Sequence, residues 1–290
     1  MNASLIRELR DISGAGMMDC KKALEENGND IKKATEWLRE KGIAKAAKKA
    51  GRIAAEGLST IVTNGNKAVV LEINCETDFV AKNEKFEKFV NDVANTILNS
   101  DAKTNEEALA LPCEDGTLND YVTNMTATIG EKISFRRFAN VTKEDDENFG
   151  AYIHMGGKIS VLTILKGASE AVAKDVSMHA AAMRPEFVKK DDVPADRLEN
   201  EKKILTEEVI REGKPANIAE KIVMGKLNKF YKEVCLEEQD FVKDNSVTVS
   251  KYISNNGGSL VDVIRFEVGE GLEKRQDNFA EEVAAQMKGE

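Results

Sequence analysis

The feature that most constrains how this chain folds is an internal repeat, whose two copies lie 91 residues apart. Residues 60–73 (TIVTNGNKAVVLEI) align with residues 151–164 (AYIHMGGKISVLTI). In each copy two apolar-rich runs flank an Asn-Gly or Gly-Gly pair, a pattern that predicts a β-hairpin with a primed turn. The repeat therefore predicts two related structural halves.

A helix and a further strand follow each predicted hairpin. Apolar residues at helical spacing indicate helices over residues 84–98 and 168–183, and strand patterns recur at residues 132–138 and 261–267. We therefore predict an α+β fold whose core consists of two similar subdomains. Each subdomain is a small antiparallel sheet covered by helices.

The first 42 residues form a predicted module of three helices. Apolar spacing at Leu5, Leu9 and Ile12 indicates the first helix. The third helix is predicted to begin at the N-cap Asp30 and to end at Gly42. Such a module is close to the smallest size that folds alone.

A glycine-methionine loop joins the first two predicted helices. Its sequence resembles the loop that ubiquitin-associated domains, which are small docking modules, present to their partners. Met17 and Met18 either contact a partner in this way or fill gaps in a small core, because a methionine side chain suits both uses.

Three further segments complete the predicted organisation. Residues 41–52 (KGIAKAAKKAGR) contain five basic residues and no acidic one, which is typical of a solvated helical linker. Residues 196–234 carry two apolar stripes on either side of a Gly-Lys-Pro reversal, which predicts an inserted antiparallel helical hairpin. The predicted domains are residues 1–42, a basic linker 43–56, core subdomains 57–141 and 142–268, and a C-terminal helical module 269–290.

The apolar stripe of the inserted hairpin 196–234 needs a surface to cover it. A lone helical hairpin has little core of its own, so the stripe binds a partner, forms a homodimer or packs onto its own domain. The sequence alone leaves these three alternatives open.

The composition is poor in the groups that most enzymes use. The chain has two histidines and four cysteines, the cysteines lie at least 38 residues apart, and HExxH, P-loop and GxSxG motifs are missing. The second histidine, His179, lies on an apolar helix face and is expected in the core. The sequence therefore predicts a protein that acts by contact and uses neither a metal nor another cofactor.

The charge and the hydropathy narrow the range of partners. With 51 acidic and 42 basic residues the net charge is −9, which argues against a chain that mainly binds nucleic acid. We find no apolar run long enough to cross a bilayer and no secretory signal at the start, so we expect no membrane partner and a cytoplasmic location.

The two copies of the repeat differ most between hairpin and helix. The first copy has residues 74–83 (NCETDFVAKN) there, whereas the second has only Lys166 and Gly167. One interpretation is structural: Thr77 or Asp78 caps the following helix while Phe79 packs on Phe86. The other is functional: a polar loop holds an aromatic side chain outwards as an interface anchor.

Several longer motifs resemble those of one protein family. They are GAGMMDCKKAL (14–24), KAAKKAGRIAAEG (45–57), LEINCETDFVAKN (71–83), IGEKI (129–133), HAAAMRPEFV (179–188), GKPANIAEKIVMGKLNKF (213–230) and RFEVGEGLEK (265–274). By their order and spacing the chain is identified, over nearly its whole length, as a member of the bacterial translation elongation factor Ts family.

The resemblance implies a function and a fold. It implies a guanine-nucleotide exchange factor that binds elongation factor Tu in its GDP-bound and nucleotide-free forms and that needs no cofactor. It also implies a ubiquitin-associated-like bundle, a duplicated α+β core, a coiled-coil hairpin and a C-terminal helix. A non-catalytic docking adaptor of the ubiquitin-associated type is the alternative, although it leaves the duplicated core unexplained.

The resemblance also implies which residues meet the partner. Thr77, Asp78, Phe79 and Val80 correspond to the loop that disturbs the magnesium site of the partner GTPase. The other implied contacts are Met17, Met18, Val283 and Met287 against the nucleotide domain, and Ile129, Gly130 and His154 at further surfaces.

His154 is open to a second interpretation. Met155 and Ser160 stand where the family commonly has glycine, so the sequence departs from the family around this histidine. His154 is therefore either a partner contact or a strand-end histidine whose ring is satisfied by the backbone.

Overall fold

The computed structural model describes residues 3–273 apart from residues 14, 115 and 214. The helices of this part are α1 (Ala3–Ser13), α2 (Met17–Glu26), α3 (Ile31–Lys49), α4 (Asp78–Ala81), α5 (Glu84–Leu98), α6 (Asn105–Leu109), α7 (Leu118–Ile129), α8 (Glu170–Met183), α9 (Ala195–Arg211), α10 (Ala216–Val234) and α11 (Val249–Asn255). The strands are β1 (Glu56–Asn64), β2 (Lys67–Cys75), β3 (Pro112–Cys113), β4 (Gly116–Thr117), β5 (Ser134–Thr142), β6 (Glu147–His154), β7 (Ile159–Lys166), β8 (Asp240–Phe241), β9 (Asp244–Thr248) and β10 (Ser259–Glu267). Short 3-10 turns lie at Lys190–Asp192 and Leu236–Glu238.

The fold is mixed α+β, as the repeat predicts. Two three-stranded sheets have the orders β1-β2-β5 and β10-β7-β6, so in each copy the second hairpin strand is central. In the second hairpin β6 and β7 are antiparallel, with Glu147 opposite Lys166 and His154 opposite Ile159. The predicted helix of each copy is present as α5 and α8, and the later strand as β5 and β10.

The chain divides into two compact units. Among the described residues, the first unit comprises those up to Val62, Leu71–Asn140 and those from Phe266 onwards. The second unit comprises Thr63–Val70 and Val141–Arg265.

Helices α1, α2 and α3 enclose a small core in the first unit. Its buried members are Leu9, Cys20, Ala23, Leu24 and Ala34. Asp30 caps α3 as predicted, because its side chain accepts a hydrogen bond from the backbone N–H of Lys33 at 3.1 Å. The first helix is present as predicted and includes Ile12, although this residue is 57% exposed and contributes little to the core.

The predicted end of α3 at Gly42 is wrong. The helix continues to Lys49, so it includes much of the basic run expected to be a linker. Gly42 is buried where α3 packs on α7, and a Cβ atom there would lie 3.2 Å from the Cβ of Ala127. The glycine thus permits close helix packing and does not terminate the helix.

The first copy of the repeat packs α5 through aromatic rings. Phe86 and Phe89 are fully buried, and the ring of Phe89 meets Tyr121 of α7 edge-on at 4.7 Å between centroids. Helix α7 was not predicted from the sequence, although the capping box formed by Thr117 and Asp120 marks its start. Its β-branched residues weaken the helical signal.

The second copy packs α8 through small side chains. Gly150 of β6 lies so close to α8 that a Cβ atom would run into the backbone of Ala173 and Lys174. The hydroxyl of Ser177 donates to the carbonyl of Gly150 at 2.6 Å and bonds Thr163 at 2.7 Å. The aligned helices therefore pack on their sheets by different means.

One aligned position differs in charge. In the first copy it is Glu72, whose fully buried carboxylate accepts bonds from Arg136 at 2.8 Å, Arg137 at 2.6 Å and the N–H of Gly269 at 2.8 Å. In the second copy the aligned residue is Thr163, which is also fully buried. The first copy thus contains a buried ionic cluster where the second has a neutral hydroxyl pair.

The two hairpins also turn differently. The first turns through Gly65 and Asn66, with Gly65 at a φ of 56°, so the turn lies one residue beyond the predicted Asn-Gly pair. The second uses the four residues 155–158, and Met155 has a positive φ of 50°. This conformation is costly for any residue other than glycine.

Helices α9 and α10 pack side by side in the second unit. Leu198 and Leu205 of α9 pack against a buried cluster that includes Leu227 and Phe230 of α10. Lys226 of α10 forms ion pairs with Glu208 at 2.9 Å and Glu212 at 3.2 Å. Several apolar side chains of the pair remain exposed, namely Ile204, Ile210, Ile218 and Met224.

Candidate partner-binding site

The candidate site is the first corner, the eight residues Glu76–Asn83 between β2 and α5. Thr77 is the N-cap of the four-residue helix α4, and its hydroxyl oxygen accepts from the N–H of Val80 at 3.3 Å. Asn83 then caps α5 by accepting from the N–H of Lys85 at 2.9 Å. Two successive caps thus fix the path of the chain through the corner.

Phe79 points away from the protein at this corner. Its side chain is 83% exposed, although phenylalanine is a residue that proteins normally bury. The interpretation that Phe79 packs on Phe86 is therefore wrong, because Phe86 is fully buried and its ring faces Phe89 at 6.2 Å between centroids. The capping part of that interpretation is confirmed for Thr77.

Asp78 and Val80 flank the exposed ring. The carboxylate of Asp78 forms an ion pair with Lys82 at 2.7 Å, and this hydrogen bond raises the pKa of Lys82. Val80 is half-buried, and Ala81 is buried. The corner therefore presents one large apolar side chain beside an exposed acid–base pair.

Two carboxylates from different parts of the sequence hold the corner. Glu131 accepts hydrogen bonds from the N–H of Glu76 at 3.1 Å and the N–H of Thr77 at 3.0 Å, and its other oxygen accepts from the Thr77 hydroxyl at 2.7 Å. In return, Glu76 accepts from the N–H of Lys132 at 2.6 Å and pairs with Arg52 at 3.3 Å. We call this arrangement the glutamate clamp.

The glutamate clamp was not predicted from the sequence. Glu131 belongs to the IGEKI motif, but only its neighbours Ile129 and Gly130 were expected to be functional. The two halves of the clamp lie 55 residues apart in the chain, so no local pattern joins them.

The second corner is much simpler. Only Gly167, Ala168 and Ser169 separate β7 from α8, and Ser169 is the N-cap of that helix. Gly167 has a φ of 78° and passes so close to Gly257 that a Cβ atom would lie 2.7 Å from its carbonyl oxygen. This corner is a tight connection without an aromatic side chain.

The methionines of the N-terminal helices are exposed. Met17 and Met18 begin α2 with 60% and 72% of their side chains exposed, so the interpretation that they fill the small core is wrong. Both belong to the first unit, as does the first corner. They are available to a partner.

Ile129 and Gly130 lie beside the glutamate clamp at the end of α7. Ile129 is half-buried, and Gly130 is the exposed C-cap with a left-handed φ of 86°. The carbonyl of Gly130 accepts a hydrogen bond from Lys49 at 2.6 Å. The structure thus brings two of the segments expected to meet a partner together.

The two histidines have different surroundings, and both belong to the second unit. His154, at the end of β6, bonds the Tyr152 hydroxyl through Nδ1 at 3.1 Å, so a side chain satisfies this nitrogen and the backbone does not. His179 is fully buried as expected and lies between Gln239 and the N–H of Val242. Burial lowers its pKa, although the bond to Gln239 opposes this.

Three further observations complete the site. Val283 and Met287 lie outside the described residues. In the described part of the chain, no group of three or more His, Cys, Asp and Glu side chains is arranged to hold a metal ion. Across the same residues, no helix combines the length and the apolar character needed to span a membrane.

Comparisons with known proteins agree on one family. The family model described as Elongation factor TS matches residues 76–270. This range includes the first corner and the strands β5 and β10. The chain is also 54% identical over 287 residues to a protein named Elongation factor Ts from Limosilactobacillus fermentum, covering 99% of this chain and 98% of that protein.

Proposed function

Because the chain belongs to the elongation factor Ts family, we propose that it exchanges the guanine nucleotide of elongation factor Tu through the first corner. Membership in this family makes it an elongation factor of protein biosynthesis and implies nucleotide exchange on elongation factor Tu. The observation that carries the proposed mechanism is the 83% exposure of Phe79 on the eight-residue first corner, whose counterpart in the second copy has three residues and no aromatic side chain.

The proposed mechanism is a thermodynamic competition. A GTPase holds GDP through phosphate contacts and a bridging magnesium ion. An exchange factor that binds the nucleotide-free form more tightly than the GDP form weakens GDP binding by the same factor. The chain would therefore bind the GDP complex, release GDP and be displaced when GTP binds.

Phe79 supplies part of the required free energy. Burying a phenylalanine side chain contributes about 1.5–3 kcal/mol, which corresponds to roughly 10- to 150-fold in affinity. This alone is too little for efficient exchange. In our proposal Thr77, Asp78, Phe79 and Val80 therefore also displace the elements that hold magnesium and phosphate, and the loss of those contacts provides the rest.

Other parts of the chain would bind the same partner. Exposure of Met17 and Met18 supports a docking role for residues 1–42, which we propose to be ubiquitin-associated-like. The further proposed contacts are Ile129, Gly130 and His154, together with Val283 and Met287 from the C-terminal module. We also propose the domain bounds 57–141 and 142–268 for the two core subdomains and 269–290 for the C-terminal module.

The inserted pair α9 and α10 is proposed as a coiled-coil hairpin that binds a partner or forms a homodimer. Its exposed isoleucines, Ile204 and Ile210, support such a surface. We expect no direct binding to nucleic acid or membranes, no cofactor, and action in the cytoplasm, where translation takes place.

Catalytic turnover separates this function from the docking adaptor. Elongation factor Tu is loaded with fluorescent GDP and mixed with an excess of unlabelled GTP and far fewer molecules of the purified chain, and the fluorescence is followed over time. An exchange factor releases nearly all the GDP because each chain acts repeatedly. A docking adaptor would bind without accelerating release, and that result would refute the proposal.

A further inference from the structure

Helix α4 is too short to hold Phe79 in place by itself. It has four residues, whereas isolated helices in water need roughly 12–15 residues even with favourable sequences. Phe79 makes little contact with the rest of the protein, since 83% of its side chain is exposed. Its position therefore depends on the residues that anchor α4, and the N-cap Thr77 anchors the start of this helix.

Glu131 fixes Thr77 in place through two hydrogen bonds. A carboxylate can only accept hydrogen bonds, so the Thr77 hydroxyl must donate to Glu131. Its lone pair is then directed to the N–H of Val80, which closes the first turn of α4. The same carboxylate accepts the N–H of Thr77, so both the backbone and the side chain of the N-cap are held.

Glu76 strengthens the anchor from the opposite side. Its carboxylate receives the N–H of Lys132, the residue that follows Glu131, so each glutamate binds the backbone beside the other. The Glu76 side chain is only 15% exposed, and Arg52 compensates its charge. Hydrogen bonds to ionised groups are stronger than neutral ones, which suits a clamp at the protein surface.

We infer that Glu131 is a positioning residue for nucleotide exchange, which holds the first corner so that Phe79 is presented to the partner already ordered. The inference rests on the proposed function and assigns a role to a residue outside the corner itself. Ordering a loop before binding improves affinity because the entropy cost is not incurred on association.

A double-mutant cycle tests this role. We would compare GDP release from elongation factor Tu for the full-length chain, Glu131→Ala, Phe79→Ala and the double variant. Glu131→Ala should slow release roughly 5- to 10-fold, the order expected when a side chain must be ordered on binding. In the Phe79→Ala background the same change should slow release less than about twofold, since residues that act as a unit are not additive.

Matched variants exclude a general loss of structure. Glu106→Ala removes an exposed glutamate from α6 and should release GDP as the unmodified chain does. Glu131→Gln keeps the size and one acceptor oxygen, so it should lie between Glu131→Ala and the unmodified chain. An equal slowing by Glu131→Ala in both Phe79 backgrounds, or no slowing at all, would overturn the inference.

A structural readout separates this inference from the proposed function. Hydrogen exchange at the amides of Thr77 and Val80 should become faster in Glu131→Ala, while exchange in the middle of α5 stays unchanged. Unchanged protection of these two amides would refute the positioning role, whether or not the chain releases GDP. If the unmodified chain failed to release GDP, the proposed function would fail, and faster amide exchange would still support the clamp.

Discussion

The two corners of the duplicated core show how one copy of a repeat acquires a surface that the other lacks. The second corner passes from strand to helix in three residues, whereas the first uses eight and carries an exposed phenylalanine in its middle. The additional residues do not form a loose loop. Two caps and the glutamate clamp fix them, so the first copy differs by an ordered projection.

The largest expected effect concerns how the helices pack on their sheets. Gly150→Ala in the second copy should reduce the free energy of unfolding by about 3 kcal/mol, because its Cβ would overlap the backbone of α8. At the aligned position of the first copy, Ser59→Ala should cost only about 1 kcal/mol, the value of one hydrogen-bonding group. Urea unfolding of both variants checks the difference, and equal losses would show that the two helices pack alike.

The next effect concerns the buried charge of the first copy. Burial would raise the pKa of Glu72, but its bonds with Gly269, Arg136, Arg137 and Asn74 lower it below the ordinary 4.5. Glu72→Gln should therefore reduce the free energy of unfolding by about 2–3 kcal/mol at neutral pH.

The pH dependence of this loss identifies its cause. A carboxyl with a lowered pKa stabilises the protein above its ordinary pKa and loses this effect as the pH falls through the lowered value. The difference between the unmodified chain and Glu72→Gln should thus shrink below pH 4.5. A difference that stays constant down to acidic pH would mean that packing, and not charge, causes it. Thr163→Val in the second copy provides the uncharged comparison.

As the pH falls, His179 of the second copy should reduce the free energy of unfolding at a higher pH than Glu72 of the first copy does. Burial lowers its pKa below the ordinary 6.5, so its neutral form is the stable one in the folded protein. The contribution of neutral His179 to the free energy of unfolding is present above pH 6.5. It is lost as the pH falls from there through the lowered pKa. Unfolding measured from pH 7.5 to 5 should show this loss, and His179→Gln should remove it. An unchanged pH profile in His179→Gln would contradict the assignment.

The smallest effect concerns the hairpin turns. Met155 adopts a left-handed backbone conformation with 71% of its side chain exposed, whereas the first hairpin has Gly65 at its turn. Met155→Gly should raise the free energy of unfolding by about 0.5–1 kcal/mol through relief of backbone strain. Gly65→Ala should lower it by a similar amount. Thermal unfolding of both variants measures these two changes. A lower stability of Met155→Gly than of the unmodified chain would contradict this explanation.

Periodic patterns predicted the parts of the fold that burial controls. The helix over residues 84–98 was found because Phe86, Phe89, Val90, Val93 and Ile97 recur at helical spacing, and all five are buried. The end of α3 was predicted wrongly because a glycine in a helical sequence either terminates the helix or permits close packing against another helix. Only the partner helix α7, which meets Gly42 through Ala127, decides between them.

The candidate site was partly predictable for a related reason. Asymmetry between the two copies indicated residues 74–83, because an insertion is visible when repeats are aligned. The exposure of Phe79 was not predictable, since phenylalanine at such spacing is equally compatible with packing on Phe86. The glutamate clamp depends on contact between segments that are distant in sequence, and it leaves no local signal.

The most direct test of the central claim is the rate at which elongation factor Tu releases fluorescent GDP in the presence of Phe79→Ala. Burial of this exposed ring in the complex predicts a loss of roughly 10- to 150-fold relative to the unmodified chain. Lys166→Ala, at the end of β7 next to the second corner, should release GDP at the unmodified rate. An undiminished rate for Phe79→Ala would contradict the claim that the first corner drives nucleotide exchange.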